Sequence, residues 1–96
     1  MSSSYSKLSS LFKLLEYIKR KRKILDDKEE KELAGDFIDL CIDLLSVTGQ
    51  SEDEKFMINS FLSLNKEIIE WSLPKCPENK SERYKNLKYN FINQNN

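Results

Sequence analysis

Apolar residues recur along this chain at steps of three and four, in four successive stretches. From Tyr5 to Leu25 they fall at Leu8, Leu11, Phe12, Leu15, Ile18 and Leu25, with Leu14 and Tyr17 widening the stripe. Such spacing lays side chains along one face of a helix. From about Lys28 to Val47 the stripe is Leu33, Phe37, Leu40, Leu44 and Val47, flanked by Ala34, Ile38, Cys41 and Leu45. Between residues 52 and 72 it is Met57, Phe61, Leu64, Ile68 and Trp71, flanked by Ile58, Leu62 and Ile69. The last stretch, over residues 80–92, carries Tyr84, Leu87 and Phe91.

Polar residues mark the ends. Asp26 or Asp27, with Glu29 or Glu30 three positions on, forms a capping box that separates the first two helices; one continuous helix is the alternative. Thr48-Gly49 ends the second, the glycine suiting the left-handed position beyond a helix. Ser51 with Glu54 is a second capping box, and its acids match the dipole of a first turn. Pro74 and Pro77 break the chain after Leu73, because each removes a backbone donor and restricts its predecessor. Asn79 with Glu82 caps the final helix. Gly35 costs about 1 kcal/mol relative to alanine inside a helix, which points to a close helix crossing there.

The expectation is an all-α fold in one domain spanning residues 1–96. It is an antiparallel bundle of three long helices (5–25, 28–47 and 52–72) plus a shorter C-terminal fourth helix (80–92), with residues 93–96 a disordered tail. Twenty residues make a helix roughly 30 Å long, and matched lengths with short connections favour antiparallel neighbours. Two Gly and two Pro in 96 residues are too few for the turns of a small β-domain.

Charge changes the picture more than composition does. The net charge is zero, but residues 1–25 sum to +6, residues 26–54 to −9, residues 55–74 to zero and residues 75–96 to +3. Glu29, Glu32, Asp36, Asp39 and Asp43 line one stripe of the second helix and form a candidate acidic partner surface. Like charges at that spacing repel. Either solvent and salt offset this, or a basic surface lies opposite, and an antiparallel pair turning near Asp26 sets Lys23 near Glu29 and Arg20 near Glu32. The run Lys19, Arg20, Lys21, Arg22 and Lys23 is a solvated helix end, a nuclear-localisation patch or a phosphate contact. With Lys80, Arg83, Lys85 and Lys88, interleaved with Tyr84, Tyr89 and Phe91, it forms a candidate surface for an anionic partner or nucleic acid, provided the two segments are adjacent.

Catalysis is not expected. The chain has no histidine, the commonest general acid–base. No glycine-rich phosphate loop is present, and Cys41 lies on an apolar face among acids, the wrong setting for a thiolate. Cys76 sits near Lys75 on a loop. Two cysteines make no disulfide framework and fit a reduced, intracellular chain with one buried thiol and one loop thiol. No apolar run reaches the roughly 18 residues that span a bilayer, so integral membrane association is not expected. Residues 1–25 also read as an organelle transit peptide, although they suit a helix of the domain better. The placement expected is cytoplasmic, or nuclear in a eukaryotic setting. The Gly-poor, Lys/Asn/Ile-rich composition fits an AT-rich genome, viral or plasmid-borne.

Two functions from different classes follow, neither requiring a cofactor, metal or small-molecule substrate. One is a helical-bundle protein that acts by protein–protein interaction (regulator, adaptor, inhibitor or assembly subunit) or by self-association. The other is a nucleic-acid-binding protein without sequence specificity, using the basic end of helix one and the basic C-terminal helix.

Overall fold

The computed structural model describes residues 3–94, with the side chains of residues 5–93. These residues form five helices: α1 (Ser3–Lys21), α2 (Asp27–Ser46), α3 (Glu52–Leu64), α4 (Lys66–Ser72) and α5 (Glu78–Gln94).

Local chemistry sets most of the boundaries. Asp26 caps α2, its carboxylate accepting the Glu29 amide at 2.8 Å. Gly49 adopts φ +70° just beyond α2, a conformation open to glycine at little cost. Ser51 and Glu54 close a complete capping box on α3. Beyond Pro74, the Pro77 carbonyl accepts the amides of Lys80 and Ser81, so α5 begins at Glu78 and not at an Asn79 cap.

Three expectations are corrected. Helix α1 starts and ends earlier than residues 5–25; Arg22 to Ile24 form a turn, and Ile24 points to solvent. The helix expected over residues 52–72 is two helices broken at Asn65, which makes five in place of four. There the Asn65 side-chain amide donates to the Phe61 carbonyl at 3.0 Å, alongside its own backbone N–H at 3.1 Å. A polar side chain that competes for a backbone acceptor weakens the next turn of helix, and Asn65 leaves helical geometry at φ −110°, ψ 25°. The last helix is long, with 17 residues, and includes positions 93 and 94 of the expected tail; positions 95 and 96 lie outside the described residues.

Helix α2 organises the packing. Ala34, Phe37, Ile38, Cys41, Ile42, Leu44 and Leu45 are all buried, an arc of about half the helix circumference. A single neighbour cannot cover that arc, and α1, α4 and α5 all pack against it. Helix α1 folds back on α2 through the turn at residues 22–26 and contributes Leu8, Leu11, Leu15 and Ile18 to the core. Helix α5 runs in the same direction as α2: Lys80 meets Asp39, and Leu87 and Phe91 lie beside Leu45 and Val47. Tyr84 and Phe91 are its buried residues facing this core, as the spacing predicts. The α4–α5 junction is tied by Ser81, whose hydroxyl donates to the Leu73 carbonyl at 2.7 Å and lies 3.0 Å from the Cys76 sulfur.

Gly35 does not mark a close helix crossing. A β-carbon there would meet only the Lys80 ammonium at 3.7 Å, an ordinary contact with the end of a flexible side chain. Gly35→Ala should therefore stabilise the chain by about 0.5–1 kcal/mol through helix propensity. The check is the thermal midpoint by circular dichroism; a lowered midpoint would contradict this packing.

Candidate functional site

Helix α3 carries more apolar surface than its neighbours cover. At 100° per residue, Phe56, Leu64, Met57, Phe61, Ile58 and Leu62 span an arc of about 240°. The sequence pattern centres the buried face on Met57, Phe61 and Leu64, but the structure rotates it towards Ile58, Phe61 and Leu62. Phe56 is then 73% exposed and Leu64 84% exposed. On α1, Phe12 stands at the edge of the buried stripe, 51% exposed, its ring edge-on to Phe61 at 5.2 Å between centroids. Leu8, Phe12, Phe56, Met57, Ser60, Phe61, Leu64 and Asn65 line a groove of about 350 Å³ between the two helices. The apolar spacing alone assigns Phe12 and Leu64 to the core and leaves Phe56 out of the stripe. The signal was present, since an apolar arc this wide exceeds what one packing face uses.

The charged segments are placed differently from the expected pairing. Arg22 binds Glu67 of α4 at 2.7 Å, which holds the Glu67 carboxyl below the usual glutamate range, chiefly through that hydrogen bond. Lys19, Arg20 and Lys23 are exposed, and Lys21 is half-buried. The basic run thus meets α4 through Arg22, and among the described residues no ion pair joins Lys23 to Glu29 or Arg20 to Glu32.

One edge of the acidic stripe of α2 borders α5 and the α4–α5 connection. Asp39 binds Lys80 at 2.8 Å, which raises the Lys80 pKa through the hydrogen bond. Glu32 and Asp36 border a cleft shared with Lys31, Lys75 and Lys80. Glu30, one position outside the stripe, reaches Lys75 at 4.0 Å, and the same ammonium lies 4.8 Å from the Trp71 ring centre. Glu29 and Asp43 are exposed. No three Asp, Glu or Cys side chains among the described residues converge to hold a metal.

Helices α1 and α5 each pack along α2 and make no substantial contact with one another, so the two basic segments do not merge into one surface. Within α5, Tyr84 and Phe91 are buried and cannot stack on a base, whereas Tyr89 is 68% exposed. Lys85, Lys88 and Tyr89 share a groove of about 310 Å³ with Lys66 and Glu70 of α4. Arg83 is exposed on the other side of Tyr84 from that groove.

Both thiols are free and buried, Cys76 included, despite its place in a loop; its sulfur also lies 3.4 Å from the Leu73 carbonyl. Burial pushes the Cys41 thiol up from 9.0 to about 12. The same cause raises the Tyr84 phenol above its ordinary 10.0, and its buried hydroxyl has no hydrogen-bond partner among the described residues.

Compared with protein-family models, curated proteins and solved structures, the chain matches none.

The two buried acids predict an alkaline limit to stability. Below pH 9 the Cys41 thiol is neutral in both the folded and unfolded chain. Above pH 9 only the unfolded chain ionises, until the folded thiol follows near pH 12. Stability should therefore be fully present below pH 9 and lost between 9 and 12, at about 1.4 kcal/mol per pH unit for Cys41, with Tyr84 adding to the slope above pH 10. Urea midpoints at pH 8, 9.5 and 10.5 would show this fall, and Tyr84→Phe should flatten its upper part.

Proposed function

We propose that this chain is a non-enzymatic helical protein that acts by binding protein through the groove between α1 and α3. The observation that carries this reading is the cluster of Phe12, Phe56 and Leu64, three large apolar side chains that project around one groove. Scattered apolar residues on a surface are ordinary, but a contiguous cluster with aromatic members has the composition of the centre of a protein interface. The absence of histidine and the protonated, buried state of Cys41 at neutral pH support a role without catalysis. Regulator, adaptor, inhibitor and assembly subunit all use such a surface, and the bundle serves to hold the two helices that form it.

The groove is separable from the fold. Phe56→Glu and Leu64→Glu replace side chains that contribute little to the core, so each should change stability by no more than about 0.5 kcal/mol. The native chain should enhance the fluorescence of an anilinonaphthalene dye, and the two substitutions together should abolish that enhancement. A photo-reactive residue at position 64 should form protein adducts in cells, and one at Asp43 should not. If dye binding survives the double substitution and neither position captures protein, the reading fails.

Tyr89 supports a second reading, in which the chain binds single-stranded nucleic acid without sequence specificity. Its exposed ring stands beside Lys85 and Lys88, with Lys66 across the groove, a pairing of stacking surface with phosphate-binding charge. This reading expects anisotropy of labelled generic DNA or RNA to rise on titration and to collapse between low and physiological salt. Changing Lys85 and Lys88 to Gln, or Lys19 through Lys23 to Gln, should weaken it. No binding at low salt excludes it.

A further inference from the structure

The occupant of the α1/α3 groove is constrained by the order of side chains along it and by the charges at its two ends. Phe56, Ser60 and Leu64 follow one another at intervals of four on the open side of α3, one per turn. The stripe is therefore large, small, large. Beyond Phe56 lies the acidic first turn of α3, with Glu52 and Asp53 exposed; among the described residues Glu52 makes only a 3.6 Å contact with Lys55 within its own helix. At the other end, Lys19 and Arg22 border the cleft that contains Leu64 and Asn65, and Arg20 and Lys23 are exposed nearby on the same helix end. The groove thus runs from an acidic end to a basic one.

We infer that the occupant is a second copy of this chain, packed across the groove about a two-fold axis with the two α3 helices antiparallel. The inference rests on the protein-binding reading above and names its partner. A two-fold interface must be complementary to itself, and this stripe is. With the axis at Ser60, Phe56 of each copy lies against Leu64 of the other, and the small Ser60 lets the helices approach. Phe12 flanks the contact on both sides. The same rotation sets Glu52 and Asp53 of one copy beside Lys19 and Arg20 of the other, twice over. A parallel arrangement would instead oppose acid to acid and base to base, which is disfavoured.

The test is sedimentation equilibrium of the full chain over a concentration series at low and physiological salt. The expected result is a monomer–dimer equilibrium that weakens with salt, since the flanking contacts are exposed ion pairs. Leu64→Glu should raise the dissociation constant by about ten-fold or more. Glu52→Lys/Asp53→Lys alone and Lys19→Glu/Arg20→Glu alone should each impair self-association, and mixing the two variants should restore it as a heterodimer. Impairment of each variant alone, followed by rescue on mixing, distinguishes the antiparallel two-fold from a parallel one, in which neither variant alone would lose anything relative to the native chain. Circular dichroism verifies that each variant is folded. A monomer at every concentration up to about 1 mM at low salt, or a dimer indifferent to Leu64→Glu and to the charge exchanges, would overturn the proposal. A monomer whose dye binding still depends on Phe56 and Leu64 overturns the second copy and leaves the protein-binding reading standing. A monomer without such dye binding, and with no protein captured at position 64, overturns both.

Discussion

The burial of α2 is the constraint on which the rest depends. A helix apolar over half its circumference cannot be satisfied by one neighbour, and the hydrophobic gain from covering it scales with the area removed from water. Helices α1, α4 and α5 are placed by that requirement. What remains to solvent is the opposite side of α2, and this is where Glu29, Glu32, Asp36 and Asp43 lie. The acidic stripe is thus the complement of the core: carboxylates occupy the one side of α2 that no helix covers.

Covering α2 leaves α3 short of partners. Helix α3 supplies Ile58, Phe61 and Leu62 to the core, but the break at Asn65 lets α4 turn onto α2 while α3 stays at the margin beside α1. The surplus apolar side chains, Phe56 and Leu64, are therefore exposed in one place together with Phe12. The feature that supports a binding role follows from the same packing that stabilises the fold. No helix of the structure is long and apolar enough to cross a membrane, among the described residues.

The ion pairs arrange the helices more than they stabilise them, because exposed pairs are worth at most about 1 kcal/mol each. Arg22–Glu67 fixes the basic end of α1 onto the start of α4. Lys80–Asp39 and Lys75–Glu30 hold the α4–α5 corner against α2. Each joins residues that lie far apart in sequence, and the last two join the acidic segment 26–54 to the basic segment 75–96.

What the sequence determined by itself was local. The 3.6-residue period of Leu8, Leu11, Leu15 and Ile18, or of Phe37, Cys41 and Leu44, identifies helices because it depends only on backbone geometry. The Asp26 and Ser51 caps mark starts because their hydrogen bonds close within three residues. The wide apolar arc of α3 was equally visible, but its meaning was not. Which part of that arc is buried depends on where α1, α2 and α4 stand, and a rotation of about one residue moved Leu64 from expected core to solvent. The break at Asn65 turns on one side-chain amide that competes for a carbonyl, an energy too small to register against the continuous apolar pattern around it. Lys21 through Lys23 gave no sign that Glu67 was their neighbour, because Coulomb attraction acts on distance in space, and only the tertiary structure brings residues 22 and 67 together.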